Sequence, residues 1–166
     1  MKILLISDTH SMLDERVEKY AESVDEIWHA GDVGDYVVLE KLRELAPVQA
    51  VYGNIDHGQV RNELPEFLWF TRSGVSILMT HIAGRPGRYS KPLLSELSRR
   101  AAPDVIVCGH SHILMVKMDK KFQSLWLNPG ACGDHGFHKT KTLLRFDILD
   151  GKVKTMELIE FDRKST

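Results

Sequence analysis

Apolar residues along this chain fall in short blocks, and the spacing inside each block separates strands from helices. Ile3-Leu4-Leu5-Ile6 is a continuous apolar run, the pattern of a strand covered on both faces, so the first strand is read as Lys2–Ile6. Leu13–Ser23 is polar and amphipathic at helical spacing. Glu26–His29 reads as a second short strand, Tyr36–Leu45 as a helix with Val37, Val38, Leu42 and Leu45 turned inward, and Val48–Tyr52 as a third strand. Strands that alternate with helices pair in parallel through βαβ crossovers.

From Phe67 onward the pattern changes. Phe67–Arg72 and Val75–Met79 flank Ser73-Gly74, a hairpin signal. A helix is expected over Pro92–Arg100, where a proline in the first turn is tolerated. Val105–Cys108 reads as another buried strand. Leu114–Met118, Ser124–Leu127, Thr142–Leu149 and Val153–Phe161, with turns at Asp119-Lys120 and Asp150-Gly151, read as an antiparallel meander. Asp162–Thr166 is a polar tail expected to fray. No linker, repeat or low-complexity tract divides the chain, so residues 1–166 are expected to form a single domain. The fold class that follows is α/β with mixed sheets: two sheets packed face to face, with helices outside.

Composition narrows the function classes. At 166 residues, 43% apolar and 27% charged, the chain can bury a full core. Its formal net charge of -1 argues against a dedicated nucleic-acid binder, which carries a basic excess. The apolar run after Met1 is too short for a signal peptide or a membrane span. Two cysteines, Cys108 and Cys132, make no disulfide framework, so a cytoplasmic location is expected.

Eight histidines stand out, and their placement matters more than their number. Asp8 and His10 follow the first strand, Asp32 the second and Asn54 the third. His81 follows the strand after the hairpin; His110 and His112 follow Val105–Cys108. Open α/β sheets bind ligands beyond the carboxyl ends of their strands, so these seven side chains are expected to converge. Gly31, Gly53 and Gly109 each directly precede one of them, where a tight turn or close backbone approach is wanted. Taken alone, each Asp reads as a cap, Asn54 as a turn residue and each His as a surface residue. Seven such residues at one topological end are not explained that way. Seven donors exceed what one ion takes, whereas two ions sharing a carboxylate would use them all. Imidazole and carboxylate without thiolate suit manganese, iron, nickel, cobalt or zinc rather than calcium or a bare magnesium site.

Asp8-Thr9-His10, Gly31-Asp32, Gly53-Asn54-Ile55-Asp56, Thr80-His81 and Gly109-His110-Ser111-His112, five blocks in order over Met1 to about Phe161, resemble the calcineurin-like metallophosphoesterases. Length and the Asn128-Pro129-Gly130 turn are similar to the small single-domain phosphodiesterase branch, which includes a retromer subunit. The resemblance implies a four-layer sandwich of two mixed β-sheets flanked by α-helices. It implies two divalent ions, manganese first, one held by Asp8, His10, Asp32 and His112 and the other by Asp32, Asn54, His81 and His110. Asp32, Asn54 and His81 then stand at the catalytic heart, and a hydroxide bridging the ions would attack phosphorus in line. The implied partner is a small phosphate ester, with no specific nucleic acid and no membrane, while homo-oligomerisation stays open.

The chain departs from the family pattern twice. Larger members carry a histidine after Gly-Asn that protonates the leaving group; here that position is Ile55, although Asp56, the usual partner of that histidine, remains, either in that role or as a structural carboxylate. His57, His135 and His138 are substitute candidates. After His81, where relatives often place Gly-His, stands Ile82-Ala83-Gly84, followed by a basic loop whose Arg85 and Arg88 are candidate substrate-phosphate contacts. The rival reading is a non-catalytic protein-binding scaffold of the same fold. A nucleotide-binding reading of Ala30-Gly31-Asp32-Val33-Gly34 fails, because the spacing is not Gly-x-Gly-x-x-Gly and the segment follows the second strand.

Overall fold

The protein was analysed as a computed structural model that describes residues 1–163. The double-sided first strand organises it. In β1 (Lys2–Ile6), Leu4 and Ile6 face helices, while Ile3 and Leu5 face a second sheet. The helices on the outer side are α1 (Glu15–Ala21) and α2 (Tyr36–Leu45), which bury Val17, Ala21, Val38, Leu39 and Leu42. Beside β1 lie β2 (Glu26–His29) and β3 (Val48–Ala50), both parallel as the alternation of strands and helices requires. On the other flank, β11 (Thr140–Leu149) pairs antiparallel with β1 and carries β12 (Lys152–Asp162) at the edge, giving the order β12-β11-β1-β2-β3.

The second sheet runs β4-β5-β8-β10-β9. Its members are β4 (Phe67–Arg72), β5 (Val75–Thr80), β8 (Val105–Val107), β9 (Leu114–Met118) and β10 (Leu125–Pro129). Between the sheets, Ile3, Leu5 and Trp28 meet Val75, Ile77, Met79, Val107 and Leu127. On its far side α4 (Lys91–Leu97) sets Leu93 and Leu97 against Leu78, Ile106 and Trp126. Each such side chain contributes about 1.5–3 kcal/mol when fully buried. The result is a four-layer α/β sandwich with two mixed five-stranded sheets. No helix among the described residues is long and apolar enough to cross a membrane.

Several expectations are corrected by this architecture. The four C-terminal strands are not one meander. β9 and β10 form a hairpin in the second sheet, whereas β11 crosses to the first sheet and pairs with β1. Alternation of strands and turns does not specify which sheet a hairpin joins. In α2 the inward face is Val38, Leu39 and Leu42, with Leu45 packed against it as expected and Val37 exposed, because capping by Asp35 starts the first turn at Tyr36 and rotates Val37 outward. α1 starts two residues later than expected, where the Asp14 carboxylate caps it by accepting from the Arg16 N–H. Missed were α3 (Gly58–Glu63), which buries only Val60, and the two-residue strands β6 (Gly84–Arg85) and β7 (Arg88–Tyr89). The turns were legible: Ser73-Gly74 and Asp150-Gly151 have φ of 47°, 84°, 51° and 70°, both central residues positive as in a type I′ hairpin. Of the polar tail, Asp162 ends β12, and 164–166 lie outside the described residues.

Candidate metal centre

The turns after β1, β2, β3, β5 and β8 meet at one end of the sandwich. Five of the seven candidate ligands adopt the left-handed conformation that side chains disfavour: Asp8 (57°), His10 (47°), Asp32 (54°), His110 (68°) and His112 (55°). Such strain persists only where the surroundings over-determine it. Here the turns hold one another. Asp8 N–H donates to Gly31 O (3.0 Å), His10 N–H to Asp32 O (3.1 Å) and Gly109 N–H to His81 O (3.1 Å). The Asp8 Oδ2 atom accepts from the His110 N–H at 3.1 Å, and Asp32 Oδ1 from the Ile55 N–H at 3.1 Å. A Cβ on Gly53 would collide with the Asp32 carboxylate, and one on Gly109 with the Ser7 hydroxyl. Only glycine lets the turns approach this closely.

Two ligand triads result: Asp8, His10 and His112, and Asp32, His81 and His110, each with donor atoms within 4.8 Å of one another. They adjoin. His81 Nε2 lies 3.2 Å from Asp32 Oδ1 and 4.0 Å from Asp8 Oδ1, and His10 Nε2 lies 3.6 Å from Asp32 Oδ2. His112 Nε2 stands 3.1 Å from Asp8 Oδ1. None of these close approaches has the alignment of a hydrogen bond, so Asp8 Oδ1, His10 Nε2 and His81 Nε2 are buried without a hydrogen-bond partner among the described residues. Buried polar atoms are ordinarily paired, and leaving one unpaired costs about 1–3 kcal/mol. Three of them converging on one point, all nitrogen or carboxylate donors, fit divalent cations. Asn54 opens on the same clefts as Asp32 and His81.

The groups behind these donors fix their orientation. His81 Nδ1 lies 2.8 Å from Ala30 O, so that nitrogen carries the proton and Nε2 presents its lone pair to the centre. Asn128 supports the other histidine turn by donating to Gly109 O (2.8 Å) and Ser111 Oγ (3.1 Å). Asp56 accepts from the backbone N–H groups of Val33, Gly34 and Gly53 at 2.7–3.1 Å, which ties the β2 and β3 turns together. Its carboxylate is therefore engaged and buried. His29, at the end of β2, contacts Thr9 Oγ1 at 2.9 Å; since Thr9 donates to Val33 O, His29 donates to Thr9 through Nε2. Burial pushes its pKa down to about 4, so it is neutral near pH 7. Burial also lowers the pKa of His10, whereas the Asp8 carboxylate beside His112 raises that of His112.

Three clefts open from the centre. One of about 280 Å³ is lined by Asn54, His81, Tyr52 and Arg61. A second, of about 570 Å³, lies between His10, His112, Ile55, His135, Phe137 and His138. The third, of about 510 Å³, runs from His110 to Arg85 and Arg88, which therefore line an exit and not the donor cluster itself. His135 stacks on His10 with ring centroids 4.7 Å apart, and His138 stands 5.3 Å from His112. His57 instead turns back on its own loop, Nδ1 3.0 Å from Ile55 O. Sequence reasoning overlooked His29 and, although a structural carboxylate was one reading of Asp56, it did not show which turns Asp56 ties. The signal for His29 was its place two residues before Gly31-Asp32; nothing in the sequence distinguished an engaged Asp56 from a free one.

The sequence model of the calcineurin-like phosphoesterase superfamily domain matches residues 1–151. A probable metallophosphoesterase of Methanocaldococcus jannaschii is 34% identical over 137 residues, 79% of this chain and 68% of that protein. Another, from Methanothermobacter thermautotrophicus, is 32% identical over 79% of this chain and 77% of its own length. Among solved structures, a Thermotoga maritima protein determined by NMR superposes with a TM-score of 0.74 at 26% identity, covering 96% of this chain and 99% of its own. Zinc-complexed Vps29 of Entamoeba histolytica superposes at 0.73, with 18% identity and coverage of 98% and 99%, a likeness of fold.

Proposed function

The chain belongs to the calcineurin-like phosphoesterase superfamily, and from that premise we propose that it is a metal-dependent phosphodiesterase with a two-ion centre. Asp8, His10, Asp32 and His112 would hold one ion, and Asp32, Asn54, His81 and His110 the other. The convergence of Asp8 Oδ1, His10 Nε2 and His81 Nε2, buried and unpaired, carries this reading. When bound, such a pair of ions supplies Lewis acidity to the phosphoryl oxygens and lowers the pKa of a water molecule. Manganese is the ion that the family resemblance puts first, while the donor set itself, imidazole with carboxylate, equally suits iron, cobalt, nickel and zinc.

The protein's own part is orientation and shape. The Ala30 carbonyl holds His81 in the tautomer whose Nε2 is free to ligate. Asp32 stands between the triads, its Oδ1 held by the Ile55 N–H, so a single carboxylate can serve both ions. A diester has two substituents on phosphorus and needs two exits, and the several clefts that meet at Asn54, His81 and His110 support a diester over a monoester. Ile55 offers no proton at the leaving-group position, and Asp56 beside it is occupied by backbone N–H groups. Good leaving groups are therefore favoured, with a steep dependence of rate on leaving-group pKa.

The test is hydrolysis of bis-p-nitrophenyl phosphate and p-nitrophenyl phosphate by metal-free protein reconstituted with manganese. Faster turnover of the diester, abolished by chelation, is expected; activity on the monoester alone would overturn the diester assignment. The scaffold reading draws on the exposed apolar rim of Ile55, Ile113 and Phe137. It requires protein without turnover under any divalent metal.

A further inference from the structure

We propose that the ester cut at this centre carries a second phosphate, bound by Arg85, Arg88 and Lys117. This rests on the diesterase reading above and names the substrate class of the same site.

The groove of about 510 Å³ that begins at His110 ends at Arg85 and Arg88. A hollow of about 420 Å³ continues it, lined by Arg85, Arg88, Met115 and Lys117. One continuous path thus leads from the metal ligands to three cations. The hairpin that presents two of them is stiff. Pro86 occupies the first central turn position and Gly87, at φ 86°, the second, the pattern of a type II turn. Ser90 N–H donates to Ala83 O at 2.9 Å and closes its base. Arg85 and Arg88 are direct cross-strand partners, and like charges in that register repel. None of the three cations forms an ion pair among the described residues.

The nearby carboxylate gives them no relief. Asp119 is buried, and its oxygens accept from the Lys121 and Phe122 N–H groups and the Tyr89 hydroxyl. In a chain of net charge -1, uncompensated cations held by a rigid turn at the end of a groove from the reaction centre form a preorganised anion subsite. Arg85 and Arg88 provide two guanidinium forks, the geometry that phosphate accepts bidentately. With the ligand turns at one end of the groove and the three cations at the other, an ester with two phosphate groups would span it, and a nucleoside bisphosphate is a probe of that class.

Two substrates separate the subsite from the chemistry: the p-nitrophenyl ester of thymidine 5′-phosphate, and the same ester bearing a 3′-phosphate. In each, water supplies the new P–O bond and p-nitrophenolate departs with the electrons of the broken one. For the manganese-loaded protein, kcat/KM should favour the 3′-phosphorylated ester by about tenfold or more. Arg85→Gln/Arg88→Gln should bring that ratio close to one, while Lys152→Gln, at the far hairpin, should leave it unchanged. Should neither ester be cut, the diesterase reading fails, and binding decides the subsite by itself. Calorimetric titration of chelator-treated protein with thymidine 3′,5′-bisphosphate and thymidine 5′-monophosphate should give at least fivefold tighter binding of the bisphosphate, lost in the double variant. Equal affinities, or a preference that survives in the double variant, would overturn the proposal. Tighter binding of a twenty-residue oligothymidylate than of the bisphosphate would replace the short ester with a nucleic-acid strand.

Discussion

Asp8, Asp32 and His81 form a floor at most 3% exposed, whereas the rim above them carries Ile55 at 37% exposed, Ile113 at 64% and Phe137 with its whole ring in solvent. On the floor, strained backbone is held by turn-to-turn hydrogen bonds, and glycines admit no side chain. The rim is stiff at its anchors but open in its side chains. Lys141, itself buried, pairs with Asp14 (3.1 Å) and Asp134 (2.8 Å) and fastens the loop that presents His135 and Phe137. The difference separates two tasks. In the proposed reading, holding cations would fall to the buried, fixed atoms of the floor, and choosing an ester to the exposed side chains of the rim.

Changes to the floor should have the largest effects. Asp32→Asn removes the carboxylate proposed to serve both ions and should lower kcat/KM at least about a thousandfold, since stabilisation of developing charge by such ions is worth several kcal/mol. Circular dichroism should show the fold retained; near wild-type turnover would mean that Asp32 serves neither ion. Gly53→Ala forces a Cβ into the Asp32 carboxylate. It should cost about 1–3 kcal/mol in denaturant unfolding and weaken metal binding as well, whereas an unaltered midpoint would show slack in the floor.

Much of that floor was legible because its residues follow apolar strands at short, regular distances: Asp8 after Ile6, Asp32 after His29, His81 directly after Thr80. Period and strand ends are local properties. The rim was less legible because its parts come from segments distant in sequence, such as His135 stacked on His10. Destination of a hairpin was equally hidden: β11 pairs with β1 through residues as far apart as Lys2 and Asp147, and nothing local in Thr142–Leu149 selects that sheet over the one beside β10. In sequence Asp56 reads either as a partner for a missing histidine or as a structural carboxylate, and its backbone contacts select the second. Its three backbone N–H donors come from two different turns and could be seen only once those turns were brought together.

Changes to the rim should be milder. Arg16, then other neighbours including Lys141, hold the Asp14 carboxyl well below the usual carboxylate range. A lowered acid adds stability that is complete above its unfolded pKa of about 3.9 and is lost as pH falls toward the folded value. Asp14→Asn should therefore cost about 1–2 kcal/mol at pH 7, and the gap from wild type should narrow below about pH 4. A gap independent of pH would locate the effect in the cap alone. Ile55→His faces the cleft without a free carboxylate behind it, so it should speed alkyl diesters by about tenfold, short of what a well-oriented acid contributes. Aryl diesters should change less. A gain of a hundredfold would show that another group orients the new imidazole.

The contrast between floor and rim depends on two ions being held below. Metal-free protein titrated with manganese, and the bound metal counted by elemental analysis after desalting, measures that directly. The account predicts two ions per chain for the wild type, two for Phe137→Ala on the rim, and one or none for Asp32→Asn. A wild type that saturates at a single ion, or that retains none, would contradict it.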